Sequence, residues 1–296
     1  MTMIYPIKVN TFYQTVEQLC WLSGIKNTKH FHSKKMYGNI KLTFLACYKE
    51  KLNVSYRRFV EICCENNIQR MLCLKSIPHF TTLQKFVQRT QKTIFEILVK
   101  ACRKLLDLKD IVASLDGTGF SNTNPSHYYC DRIDGKTVRN YTKTMFLADN
   151  KSKLVLNIRT FSDCSHETKF FKEMVSEVAD CLKTILADKA YDALSNRTYC
   201  WNKGIAVHIP FRKYAKSRNQ EFGLPSKRKL HEKLFSKKEY NYRALIESVN
   251  SAVKQTLGGF VRARTAINQQ KQVTIKAIAY NIEHIGRLIK VRIFIN

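Results

Sequence analysis

The stretch from residue 111 to residue 209 most limits what this chain can fold into. Five short apolar runs lie there, at 111–115, 144–148, 154–160, 184–187 and 205–209. Each is bounded by turn residues, as strands are. The second and third are joined by a turn at Asp149-Asn150, and helical spacing marks 165–178 and 192–202. Strands followed by helices predict a mixed α/β domain. The first run ends at Asp116-Gly117 and the fourth at Asp188. Read singly, each Asp has an ordinary role, as a turn residue or a helix cap.

The segment upstream has a different texture, and a helical N-terminal region over 1–108 is expected, followed by a catalytic unit over 109–296. Residues 1–40 say little. Residues 41–75 read as helix with short breaks, with Ser55 as an N-cap ahead of Phe59, Ile62 and Cys63. After the break at 76–79, Thr81 or Thr82 caps a long helix whose stripe runs from Leu83 through Phe86, Val87, Ile94 and Leu98 to Leu105. Arg57, Arg58, Lys85 and Arg89 sit around the break. Two readings stay open: a DNA-binding helix-turn-helix, or a helical bundle with solvated charges.

Charge limits the partners. The 51 Lys and Arg stand against 23 Asp and Glu, a net of +28. Such an excess predicts a polyanionic partner, because basic side chains displace counterions condensed on phosphates. Residues 211–238 hold ten Lys or Arg and two Glu, with Phe211, Tyr214 and Phe222 among them. They read as an exposed basic strip suited to a DNA backbone. The ten cysteines show no regular spacing and no C-x-x-C pair, so neither a disulfide framework nor a zinc ribbon is expected. Neither a signal peptide nor an apolar run of about 20 residues stands out, so an intracellular protein with no membrane partner is expected.

The most specific segment follows the basic strip. Ser236 and Glu239 have capping-box spacing, and Gly258-Gly259 closes the segment. Between them Leu245, Ile246, Val249, Ala252, Val253 and Leu257 form an apolar face. At about 100° per residue, Tyr240, Arg243, Glu247 and Lys254 fall in one arc on the opposite side. A plain i, i+4 ion pair between Arg243 and Glu247 would also satisfy this pattern.

Tyr240-x2-Arg243-x3-Glu247-x6-Lys254 resembles the Y-R-E-K signature of the DDE transposases encoded by bacterial and archaeal insertion sequences. Leu115-Asp116-Gly117-Thr118 resembles the block around that family's first Asp, and Ala187 to Asp192 the block around its second, with Ala190 where Gly is usual. Tyr129 and Arg132, and His166 within Ser165-His166-Glu167, resemble secondary blocks in which His-Asp is more common than His-Glu. The likeness spans about residues 40–290.

The resemblance implies a ribonuclease-H-like mixed sheet flanked by helices. It implies an enzyme that binds double-stranded DNA at transposon ends, cleaves it, and joins the freed 3′-OH to target DNA. Asp116, Asp188 and Glu247 are the implied catalytic and metal-binding residues, holding two Mg²⁺ or Mn²⁺ ions about 4 Å apart. Asp116 is assigned to both ions, Asp188 to one and Glu247 to the other. Tyr240, Arg243, Lys254, Arg262 and Arg264 are expected to contact DNA, with His166, Tyr129 and Arg132 as accessory positions. A homodimer is expected because two ends must be paired, and a prokaryotic cytoplasm, at the nucleoid, is the implied location. A related nuclease that cuts without joining, a non-enzymatic DNA-binding regulator and an inactive transposase copy are the alternatives.

Overall fold

The five strands carry apolar residues on both faces, so they need a layer on each side. The computed structural model describes residues 8–27, 36–122, 141–161, 166–212 and 226–295. Six helices come first: α1 Val9–Leu22, α2 Asn39–Leu52, α3 Tyr56–Glu65, α4 Ile68–Met71, α5 Phe80–Arg89 and α6 Lys92–Leu105. Then follow β1 Ile111–Ser121, β2 Tyr141–Asp149 and β3 Val155–Phe161, a 3₁₀ turn Glu167–Phe170, α7 Phe171–Ser176 and β4 Leu182–Ala187. A 3₁₀ turn Lys189–Tyr191 precedes α8 Leu194–Asn202, β5 Ala206–His208 and α9 Ser226–Lys233. The chain closes with α10 Lys237–Tyr240, a 3₁₀ turn Asn241–Arg243, α11 Ala244–Leu257 and α12 Ala266–Ile295.

The strand order is β3-β2-β1-β4-β5. β2 runs antiparallel to β1 and β3, while β1, β4 and β5 are parallel. This is the ribonuclease-H-like mixed sheet. Its register places the site. Leu115 pairs with Ala187, so Asp116 follows within β1 and Asp188 just past the end of β4, on neighbouring strands whose usual spacing is about 4.8 Å.

α12 is buried on nearly all sides from Lys271 to Ile282. It packs against α1, α2, α6, α11, β2 and β3. Its Asn281 carboxamide accepts from Val155 N–H at 2.9 Å and donates to Val155 C=O at 2.7 Å, fastening the start of the edge strand β3. An aromatic group of Phe12, Phe44, Tyr48 and Phe59 binds α1, α2 and α3 together.

Several expected boundaries moved. β1 continues past Asp116, because Gly117 to Ser121 stay paired with Met145 to Tyr141 on β2. The long helix expected from Thr81 or Thr82 starts at Phe80, with His79 at its N-cap, and is broken at Thr90-Gln91, where both residues are extended. The polar run Gln88 to Lys92 interrupts the apolar stripe, and the Thr90 hydroxyl donates to Phe86 C=O at 2.7 Å. Ser55 caps α3 by accepting from Arg58 N–H. In the expected basic strip, 226–233 is helix α9, and 213–225 lies outside the described residues.

Candidate active site

α11 turns Ile246, Val249, Val253 and Leu257 inward and packs along β1 and β2. That docking leaves Glu247 exposed beside the Arg243 guanidinium that meets Asp116 within β1. The approach to it differs from one continuous helix: α10, a 3₁₀ turn and α11 follow one another. Tyr240, Asn241, Arg243 and Ala244 all keep right-handed helical dihedrals, so the tightening does not redirect the segment. Ser236 Oγ accepts from Glu239 N–H at 3.3 Å, one half of the capping box. The other half runs through a third residue. His208 Nδ1 accepts Ser236 N–H at 3.0 Å and Nε2 lies 2.5 Å from Glu239 Oε2, tying this helix start to β5.

Three carboxylates meet at one guanidinium. Arg243 Nη2 donates to Asp116 Oδ1 at 3.1 Å and lies 3.8 Å from Asp188 Oδ2, and Nη1 donates to Glu247 Oε1 at 3.0 Å. Asp116 is mostly enclosed, with 18% of its side chain exposed, against 46% for Asp188 and 62% for Glu247. Burial lifts the Asp116 carboxyl above its ordinary range, and Glu167 adds to this, while Arg243 and the Gly117 amide oppose it. Burial also works against charge on Arg243, but Asp116 and Asp188 outweigh it and its pKa is raised.

Two residues absent from the sequence-based site belong beside Asp116. Asn250 Nδ2 donates to Asp116 Oδ2 at 3.2 Å, and its own Oδ1 is buried without a partner among the described residues. Asn250 follows Glu247 by three positions on a helix, and a polar residue within the buried stripe was the available signal. Glu167 packs over Gly117, where any Cβ would strike its carboxylate. It pairs with Lys143 at 3.1 Å and accepts a hydrogen bond from the buried Tyr191 hydroxyl. His166, the residue favoured in that block, is exposed at the start of the 3₁₀ turn.

The loop carrying Asp188 is held from below. Arg197 is fully buried and grips Asp192 Oδ1 through Nε at 3.1 Å and Nη2 at 3.0 Å. Arg212 N–H donates to Asp192 Oδ2 at 2.7 Å, and its guanidinium donates to Lys189 and Ala190 C=O at 3.0 and 2.7 Å.

The other expected site residues are spread out. Tyr240 packs at a tilt against Phe235, ring centroids 5.8 Å apart, and burial raises its pKa. Lys254 stands 5.7 Å over the Phe120 ring, toward the far end of β1. Arg262 and Arg264 lie farther on, in the loop before α12, where Arg262 donates to Asn53 at 2.8 Å. Tyr129 and Arg132 lie outside the described residues.

Among the described residues no group of three or more His, Cys, Asp or Glu stands at metal-ligand spacing. The donor chemistry nevertheless suits a hard divalent cation: three carboxylates from three elements surround one positive group, which Arg243 supplies here. The partnerless Asn250 Oδ1 adds a fourth hard oxygen next to Asp116.

The sequence profile described as Transposase DDE domain matches residues 107–282, more than half the chain. No curated protein matches. The cryo-EM structure of the piggyBac transposase synaptic complex with hairpin DNA is similar over 95% of this chain and 75% of that one, at 10% identity and a TM-score of 0.46.

Proposed function

The chain belongs to the transposase DDE domain family, and from that premise we propose that it is a DNA transposase using Asp116, Asp188 and Glu247 as its catalytic carboxylates. The observation that carries the reading is their convergence on Arg243 from β1, from the end of β4 and from α11. When bound there, two Mg²⁺ or Mn²⁺ ions supply positive charge for the entering and leaving oxygens of a phosphodiester. Asp116, Asp188 and Glu247 are the residues that would hold them. Asn250 fixes the second oxygen of Asp116, so the carboxylate keeps its orientation. Arg243, released from its ion pairs, holds a phosphate of the cleaved strand, and Tyr240 packs beside it. Lys254 contacts the backbone farther along β1. The net charge of +28 supports a DNA partner.

The finer assignments follow the Y-R-E-K spacing. The enzyme cleaves transposon ends and joins the 3′-OH to target DNA, as insertion-sequence enzymes of bacteria and archaea do, working as a homodimer on the nucleoid in the cytoplasm. The helical region 1–108 binds the ends, and 109–296 is catalytic. No helix among the described residues is long and apolar enough to cross a membrane.

The test is Glu247→Gln. Cleavage of labelled transposon-end DNA falls to background while end binding is retained, and wild-type turnover refutes the role. A joining assay with target DNA separates transposition from nicking alone. A non-enzymatic regulator would lose nothing but stability in Asp116→Ala.

A further inference from the structure

A second cationic feature lies away from the carboxylates. β1 ends at Ser121, whose N–H donates to Gly259 C=O at 3.0 Å and whose C=O accepts Val261 N–H at 2.9 Å. Ser121 is five residues beyond Asp116, or about 17 Å along an extended strand at roughly 3.4 Å per residue. Next to it opens a cavity of about 510 Å³, between the N-terminal helices and the first turn of α12. Lys49, Tyr56, Gln88, Arg262, Arg264 and Asn268 are among the residues that line it.

The floor of the cavity holds a charge imbalance. Glu50 Oε1 lies 2.6 Å from Lys49 Nζ and Oε2 lies 3.6 Å from Lys276 Nζ, with side-chain exposures of 3%, 3% and 0% for Glu50, Lys49 and Lys276. Lys276 lies behind the lining and also donates to Leu257 C=O, while Lys49 lines the cavity, where Glu50 is the one acid among the described lining residues. Buried charge is ordinarily paired, so this cluster favours an anion at its open side.

The rim adds to the same field. Arg262 uses its guanidinium on the neutral Asn53 carboxamide and lies over the Phe260 ring at 5.1 Å. Arg264 is exposed. The loop between them and α12 is set firmly: Gln272 Oε1 accepts Arg262 and Ala263 N–H at 2.9 and 3.0 Å, and Gln269 Nε2 donates to Ala263 C=O at 3.1 Å. It delivers the N-terminus of a 30-residue helix to the cavity. The first N–H groups of a helix lack intrahelical partners, and the helix dipole places positive charge there.

We propose that this cavity binds a phosphate of a DNA strand, held by the α12 N-terminus, Arg262 and Arg264, with Lys49 supplying charge from beneath. The choice of DNA as the source of that phosphate rests on the proposed transposase function. A spacing of about 17 Å corresponds to roughly five phosphates of one strand measured along the duplex axis, at about 3.4 Å each. The site therefore anchors duplex beyond the cleavage point rather than the reacting phosphate.

The test is duplex binding in EDTA, so that carboxylate chemistry plays no part. Kd is measured against salt for the wild type, Arg264→Ala, Arg264→Lys and Asn268→Asp, with melting temperatures as the folding check. Each phosphate contact contributes a slope of about −0.9 in log K against log[salt]. Arg264→Ala is expected to reduce the slope by about one and weaken binding several-fold. Arg264→Lys restores most of the slope, and Asn268→Asp weakens binding further through repulsion. An unchanged slope in Arg264→Ala overturns the cavity site alone, whereas wild-type protein that fails to bind duplex overturns the DNA reading itself. If deoxythymidine monophosphate or inorganic phosphate raises the melting temperature of the wild type but not of Arg264→Ala, while the duplex slopes coincide, the assignment to DNA is wrong.

Discussion

Arg243 on the segment before α11 donates from Nη2 to Asp116 Oδ1 on β1, 3.1 Å away, so the carboxylate most enclosed by the fold is neutralised by an arginine 127 residues later. The same guanidinium reaches Asp188 and Glu247. It thereby offsets the repulsion among three like charges.

The first prediction follows from this competition. Arg243→Gln, measured without divalent ions, should melt lower than the wild type, by about 1–3 kcal/mol for lost charge-assisted hydrogen bonds. Adding Mg²⁺ should raise its melting temperature more than that of the wild type, because no guanidinium has to be displaced. Equal Mg²⁺ shifts in the two proteins would count against a shared site.

Asn250 supplies the second prediction. Asn250→Leu removes the bond to Asp116 Oδ2 and a buried polar group at once. Stability should fall by about 1–3 kcal/mol, since the mostly enclosed Asp116 Oδ2 is left without this donor. Cleavage should fall at least tenfold, chiefly in kcat, because Asp116 loses its orientation. A stable variant with unchanged kcat would remove Asn250 from the site.

Gly117 supplies the third. A methyl group there collides with the Glu167 carboxylate, which must leave Tyr191 and Lys143. Gly117→Ala should cost about 1–3 kcal/mol by denaturant unfolding and reduce cleavage. Glu167→Gln alone, with Gly117 unchanged, keeps the shape and should retain most of the stability. Wild-type stability of Gly117→Ala would show that Glu167 moves aside without loss.

The fourth concerns pH. Burial, with Arg287 and Lys153 nearby, lowers the His284 pKa to about 4. The ring packs on Tyr280 at 4.4 Å. The unfolded chain protonates this histidine first, near its ordinary 6.5, so its contribution is complete above that pH and is lost as pH falls toward 4. The loss is on the order of 3 kcal/mol. His284→Gln should flatten the acid limb of stability between those values, and an unchanged limb would assign the acid sensitivity elsewhere.

Much of the region from β1 to α11 was legible because its signals are local. Apolar runs located the five strands, and the positions of Asp116 and Asp188 at strand ends needed only chain order. Asp116 itself proved to lie within β1, since the pairing that extends the strand through Gly117 and Gly119 comes from β2 and leaves no local mark. The break at Thr90 was visible as a gap in the apolar stripe, but helix propensity on either side masked it. Asn250, Glu167 and the Arg197–Asp192 anchor were not recognised as parts of the site, because each depends on a partner distant in sequence or on burial that residue type does not announce. The separation of Arg262 and Arg264 from the carboxylates depends on how far α11 carries the chain along β1.

The most direct measurement replaces one carboxylate by a softer ligand. Asp188 follows β4 and is half exposed, so Asp188→Cys should fold normally. Transposon-end cleavage by this variant should vanish with Mg²⁺ and return with Mn²⁺, which accepts thiolate more readily, while the wild type cleaves with both. Equal cleavage by Asp188→Cys in Mg²⁺ and in Mn²⁺ would contradict metal binding by these three carboxylates.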